Sequence, residues 1–129
     1  ALLGKAGKRP LRPFTIHHSI NGSFAIRRGP WKLILCPGSG GWSNPRPAQA
    51  LKNKTLHLVQ LYNLDDDPAE KNNLADQKRT LVNELVAELA TAIASGRTNP
   101  GPKQSNEGWP NTFHPRVLAR FPTLAAPGK

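Results

Sequence analysis

The chain has 129 residues, of which 37% are hydrophobic, with thirteen prolines and eleven glycines, so we expect at most one domain with a small core. Its apolar runs fall short of the roughly 18 residues that a membrane-spanning helix needs, and Cys36, the single cysteine, excludes an internal disulfide. The net charge of +10 favours an anionic partner.

The charge is unevenly distributed along the chain. The first 64 residues carry ten Lys or Arg and no acid, whereas residues 65–96 carry seven acids and three bases. A basic segment of this kind attracts nucleic acid, anionic lipid, or sulfated and phosphorylated molecules, and a basic surface that serves solubility alone is the alternative. The sequence contains no helix-turn-helix, RRM or zinc-finger signature, and its one strong helix is acidic, so we do not expect nucleic acid as the partner. Because its apolar runs are shorter than the roughly 18 residues of a membrane span, we do not expect a membrane partner either.

Composition divides the chain into three segments. Residues 1–12 are predicted to be a linker or disordered arm, and residues 13–96 hold the periodic patterns of a folded unit. Residues 97–129 form a Pro- and Gly-rich tail, which either drapes over the folded unit through Trp109 and Phe113 or stays disordered.

Alternating apolar residues between positions 14 and 35 predict three short strands. Asn21-Gly22 is a strong hairpin signal, because a type I′ turn requires positive φ at both central residues. Arg28-Gly29-Pro30 marks the second turn, and Leu56–Asn63 is predicted as a fourth strand. In the first strand, His17 lies on the face opposite to the apolar side chains, whereas His18 lies on the same face as them.

A helix is predicted after the fourth strand, because six apolar residues recur at helical spacing, namely Leu81, Leu85, Val86, Leu89, Ala92 and Ile93. Asp76 is its predicted N-cap and Gly96 its left-handed end. Residues 36–55 are predicted as a long loop. The predicted fold class is therefore α+β: an antiparallel sheet of about four strands with one long helix packed on it and irregular termini.

An acidic loop joins the fourth strand to this helix, and it contains five of the eight carboxylates. An EF-hand calcium loop starting at Asp65 is excluded, since Glu70 stands where glycine is required. A looser cation site stays open as an alternative.

Turn chemistry explains the acidic loop better. Asp67-Pro68-Ala69-Glu70 matches the N-cap, N1, N2 and N3 positions of a capping box. Asn72-Asn73 is then predicted to take a left-handed exit, and Leu74 to pack on the core.

The segment "LYNLDDDPAEKNNLAD" resembles a motif near the C-terminus of sulfatases. The matching residues are Leu61, Tyr62, Leu64, Asp67, Pro68, Glu70, Asn73 and Leu74. Upstream, "FAIRRGPWKLIL" resembles the strand pair that precedes this motif, through Arg27, Gly29, Trp31 and Lys32. "HHSINGSFAIR" and "GSGGWS" are similar to the variant found in bacterial arylsulfatase-type enzymes. The resemblance runs from about Phe14 to Pro102 and leaves the two ends of the chain outside it.

The resemblance implies the C-terminal subdomain of a sulfuric ester hydrolase, periplasmic or secreted. In that family, Ca²⁺ and a formylglycine made within Cys-X-Pro-X-Arg belong to a separate N-terminal catalytic domain. Cys36 does not match, because proline follows it immediately and no arginine stands at the fourth place. We therefore expect no cofactor or metal in this chain, no hydrolysis by this chain alone, and the missing catalytic domain as a partner.

The resemblance also implies that loops of this subdomain form the rim of a pocket for a sulfated small molecule or glycan. His17 is the best candidate contact, since an imidazole donates to sulfate or sugar oxygens, and His18 follows it. Ser39, Gly40 and Trp42 offer backbone N–H groups and an aromatic platform. The alternative for the two histidines is a purely structural role in the strand, and the alternative for Ser39, Gly40 and Trp42 is a mobile connecting loop. The alternative function is a stand-alone basic module that binds polyanions.

Overall fold

The computed structural model describes residues 12–19, 22–105 and 113–125. The strands are β1 (Thr15–His18), β2 (Phe24–Arg28), β3 (Trp31–Ile34) and β4 (Gln60–Asn63). The helices are α1 (Pro47–Lys52), α2 (Arg79–Ser95) and α3 (Pro115–Arg120), followed by a 3₁₀ turn at Pro122–Leu124. Within these described ranges, no helix is long and apolar enough to cross a membrane.

The four strands form one antiparallel sheet in the order β1-β2-β3-β4, with α2 packed on one face. This confirms the predicted α+β class, the strand number and the long helix, although two short helices accompany it. Short turns join β1 to β2 and β2 to β3, whereas residues 35–59, which include α1, join β3 to β4. Asn21 lies outside the described residues, and Gly22 has the positive φ of 79° that its turn requires.

The core lies between α2 and the sheet. Ile26, Leu33 and Leu61 lie opposite one another across β2, β3 and β4, and all three are fully buried. Leu85 and Leu89 of α2 are fully buried against the same cluster. The apolar stripe of the helix is therefore core, as its spacing predicts.

Arg28 fastens α2 to the sheet. Its two terminal guanidinium nitrogens donate to Glu84 and Glu88, each at 2.9 Å. These hydrogen bonds, to Glu84 first and Glu88 second, raise the pKa of Arg28 above its usual value. Because Arg28 shares a strand face with Ile26, the ion pairs fix the helix across the buried face of β2.

Part of the tail packs against the core. Val117, Phe121 and Leu124 are buried in the same cluster as Leu85, and the Phe113 ring stacks on Phe24 with centroids 5.0 Å apart. Trp109 lies outside the described residues. The segment boundaries at 1–12, 13–96 and 97–129 stay predictions.

The predicted C-terminal end of α2 is confirmed, but its predicted N-terminal end is wrong. Gly96 takes the left-handed conformation at the C-cap, with φ of 66°, as predicted. Asp76 is not the N-cap. Lys78 occupies that position without a side-chain bond, and the Asp76 carboxylate lies 3.8 Å from His57 and 3.9 Å from Arg120. The helix α2 therefore begins two residues later than the sequence predicts.

The loop predicted over residues 36–55 contains a helix, α1, so that prediction is wrong over this stretch. Pro47 stands at the first turn, where its missing N–H costs nothing. The Gln49 side chain accepts from the Arg46 backbone N–H at 3.3 Å. Ala50 is the fully buried residue that holds the helix to the fold.

The acidic loop is built by turn chemistry, but not as a capping box. The Asp67 carboxylate accepts from the backbone N–H groups of Asn72 at 2.7 Å and Lys71 at 3.1 Å, and these bonds lower its pKa. Glu70 pairs with Lys32 instead of returning to Asp67, and Glu70 itself takes the left-handed conformation, with φ of 54°. The predicted left-handed exit at Asn72-Asn73 is therefore wrong.

Asn73 closes the outer edge of β4. Its side-chain oxygen accepts from the N–H of Leu61 and of Ala75, both at 3.0 Å, and its side-chain nitrogen donates to the Val59 carbonyl at 3.1 Å. Leu74 follows, donates to the Leu61 carbonyl at 2.8 Å and packs on the core, as predicted. A side-chain amide thus takes the place of a neighbouring strand along this edge.

Asn73→Ala is expected to lower the free energy of unfolding by roughly 1–3 kcal/mol, because partly buried backbone groups of β4 lose their partners. Urea unfolding followed by circular dichroism measures this change. Asn72→Ala is the matched control, since Asn72 is exposed and contributes a backbone bond only. Equal effects of the two substitutions would contradict this role for Asn73.

Candidate functional site

The sheet face turned away from α2 carries the polar side chains and is named here the open face. The antiparallel register places Thr15, Arg27, Lys32 and Tyr62 in one row across the four strands. The next row contains His17, Ala25, Ile34 and Gln60. These residues alternate with the buried ones along each strand, so the sequence pattern that makes the core also makes the open face.

A concavity of about 350 Å³ lies on the open face, which is a volume that accommodates a small ligand. Ala25 is the smallest side chain of the central row, and Arg27 and Lys32 lie at one end. Ser23, Cys36 and Gly40 line the other end. The concavity therefore has a cationic end and an end bordered by the glycine-rich loop.

Gln60 holds the glycine-rich loop, residues 36–43, against the sheet. Its side-chain nitrogen donates to the carbonyls of Cys36 at 2.7 Å and Gly38 at 2.9 Å. The Tyr62 hydroxyl donates to the Gln60 side-chain oxygen at 2.8 Å, which orients the amide. Burial, followed by the nearby Glu70 and Asp67 carboxylates, raises the pKa of Tyr62, so it stays a neutral donor at neutral pH.

Gly40 is required by the way the loop meets β2 and Cys36. It has a positive φ of 64°, and a Cβ at this position would lie 2.7 Å from the Cys36 sulfur and 3.3 Å from the Cβ of Ser23. A side chain at position 40 would therefore push the loop away from the concavity.

Cys36 is buried beside Gly40, and burial raises the pKa of its thiol, with a smaller opposing effect of a hydrogen bond to Ser23. A buried neutral thiol is a weak nucleophile. This agrees with the mismatch of Cys36 to the formylglycine motif, so we derive no covalent step at this residue.

Four of the five predicted contact residues line the concavity, namely His17, His18, Ser39 and Gly40. The His18 ring lies against Phe24, with centroids 6.0 Å apart. Trp42 is 75% exposed and lies outside the lining. The structure thus brings His17 and the Ser39-Gly40 loop together, and the binding roles of all five residues stay predictions.

Two lining residues were missed as candidates, Arg27 and Lys32, which from sequence are ordinary solvated strand positions. The sequence signal that identifies them is the alternation of side chains along a strand, because residues two positions apart lie on the same face. Arg27 lies two residues from Ala25, which pairs with His17, so Arg27 shares the face of His17. Lys32 then follows from the hairpin register, which places it directly opposite Arg27.

The metal and formylglycine chemistry that the sulfatase resemblance implies does not fit the described residues. Among them, no three His, Cys, Asp or Glu side chains gather in a group that could hold a metal ion. In the acidic loop, Asp67 is engaged by backbone amides and Glu70 by Lys32. No hydrolytic step is therefore derived from this chain.

The chain is similar to part of a bacterial sulfatase. It is 34% identical over 88 residues to an N-acetylgalactosamine-6-O-sulfatase of Bacteroides thetaiotaomicron, a match that covers 64% of this chain and 15% of that enzyme. It is also similar, at 36% identity, to a solved structure from work on the metabolism of multiple glycosaminoglycans by the same organism. That match covers 60% of this chain and 16% of the other, with a TM-score of 0.45.

No protein-family model matches the chain. The sequence spans about 15% of the length of the sulfatase it matches, so the activity of the whole enzyme does not transfer with the similarity. The match extends over 64% of this chain and agrees with the resemblance that the sequence motifs indicate. The predicted resemblance is confirmed at this level: over 64% of its length, this chain is similar to a segment of a bacterial sulfatase.

Proposed function

We propose that this chain completes the fold of a sulfatase and that its open face forms part of the rim of a pocket for a sulfated sugar. The observation that carries the proposal is one concavity in which His17, Arg27 and the Gly40 loop meet, in a chain related to a sulfatase segment. The relative acts on 6-O-sulfated N-acetylgalactosamine by its name, so a sulfated amino sugar is the proposed substrate class.

The chemistry of the lining suits a sulfate ester. Sulfate oxygens are acceptors, and an imidazole and backbone N–H groups are donors. His17 is exposed on the outermost strand, so its ring is accessible to a ligand. Gly40 lets the loop backbone lie close to Cys36 and Ser23 at one end of the concavity.

Hydrolysis is assigned to a catalytic domain that would be this chain's partner. The calcium ion and formylglycine of the sulfatase reaction belong, in this proposal, to that domain. The chain contributes donors that orient the sugar and fix the sulfate. By itself it is proposed to bind and not to hydrolyse.

His17→Ala is expected to weaken binding of N-acetylgalactosamine 6-sulfate to this chain at least about tenfold, which is the loss of one hydrogen bond to an anion. Isothermal titration calorimetry at constant ionic strength measures it, with unsulfated N-acetylgalactosamine as the ligand control. His57→Ala is the matched protein control, because the His57 side chain is 64% exposed near Asp76 and does not line the concavity.

The His57→Ala variant is expected to bind as the unaltered chain does. An equal loss in both histidine variants would show that the effect is not specific to the concavity and would contradict the proposed rim. Equal affinity for the sulfated and unsulfated sugars, or no binding of either, would contradict it as well.

A further inference from the structure

Arg27 and Lys32 form a like-charge pair at the centre of the open face. They lie directly opposite each other on β2 and β3, and both line the concavity. Like charges in directly opposed positions destabilise a sheet. The arrangement therefore favours an anionic group close to the pair.

The chain supplies such a group to one member of the pair. Lys32 forms an ion pair with Glu70, which reaches it from the acidic loop. Arg27 donates from Nε to the Gly29 carbonyl at 3.2 Å, and among the described residues no ion pair includes it. Its two terminal nitrogens make no hydrogen bond within that same part of the chain.

The spacing separates Arg27 from the proposed sulfate contact. His17 pairs with Ala25, two residues from Arg27 along β2, a step of roughly 7 Å in a strand. Arg27 is therefore a diagonal neighbour of His17 on the open face, so the two side chains can contact separate anionic substituents on one sugar or on adjacent sugars.

We infer that Arg27 binds a second anionic group of the ligand, and so selects sugars that carry two anions over those that carry one. The group is a sulfate or a carboxylate, since both present the paired oxygens that a guanidinium binds. The inference rests on the proposed function, because His17 and the Gly40 loop bind the first sulfate in it.

Calorimetry with three ligands tests the inference. They are N-acetylgalactosamine 6-sulfate, its 4,6-disulfate, and a disaccharide that joins a uronic acid to the 6-sulfated sugar. At constant ionic strength, the unaltered chain is expected to bind at least one doubly anionic ligand about tenfold more tightly than the monosulfate. The preferred ligand identifies the second group as sulfate or carboxylate.

Arg27→Gln is expected to reduce this preference to within about twofold, whereas Arg79→Gln should retain it. The control removes the same charge from an exposed position at the start of α2. Circular dichroism verifies that both variants are folded.

Two outcomes would overturn the inference. One is a preference that survives Arg27→Gln. The other is the absence of any preference in the unaltered chain, with monosulfate binding that still depends on His17; this result would leave the proposed function standing. Absence of binding to all three ligands would instead contradict both.

Discussion

Replacing Ala25 with leucine is expected to abolish binding of a sulfated sugar, by at least about 100-fold, while the chain stays folded. Ala25 lies on the floor of the concavity, between His17 and Ile34 in the strand register. Leucine adds three carbon atoms at that point and removes no donor. Ala25 is only half-buried and lies on the face away from α2, so the core is unaffected. The expected loss is steric, because the added carbon atoms occupy part of the concavity between His17 and Ile34.

Calorimetry measures the binding and thermal unfolding measures the fold. Ala87→Leu is the matched control, because Ala87 is exposed on α2. This substitution adds the same volume on the side of the sheet opposite to the open face. Binding by the Ala25→Leu variant equal to that of the unaltered chain would place the ligand elsewhere on the molecule.

Leu85→Ala is expected to lower the free energy of unfolding by roughly 2–5 kcal/mol, the usual cost of removing a buried leucine side chain and leaving a cavity. Leu85 is fully buried between α2 and the sheet. Small domains have only about 5–15 kcal/mol of stability in total, so the variant is expected to be partly unfolded at moderate temperature. Because α2 supports the sheet from behind, loss of this contact also removes the open face.

Urea unfolding measures the change, and Leu81→Ala on the same helix is the control. Leu81 is half-buried, so the same chemical change should cost clearly less. Equal costs at the two positions would contradict the placement of the core.

Local signals predicted most of the fold. Gly96 and the strand alternation were identified from sequence because each depends on neighbours within a few residues. The start of α2 was misplaced because Asp76 has the chemistry of an N-cap, yet it lies beside His57 and Arg120. The helix α1 was missed, since its six residues give too short a pattern to detect.

The site was harder to predict than the fold, because it depends on register. His17 and Gly40 were candidates from their chemistry, and they do line one concavity. Arg27 and Lys32 are not candidates from sequence, because a charged residue on a strand is usually solvated. Only the pairing of β2 with β3, and the capture of Glu70 by Lys32, distinguishes Arg27 from an ordinary surface arginine. The role of Asn73 at the edge of β4 also depends on long-range contacts.

The open face of the sheet is proposed to be the ligand-binding surface of this chain. Amide chemical-shift mapping by NMR, with N-acetylgalactosamine 6-sulfate added to the ¹⁵N-labelled chain, tests it most directly. The expected result is a saturable shift at His17, Ala25 and Gly40 that the unsulfated sugar does not produce. Shifts confined to α2, or equal shifts with both sugars, would contradict the account.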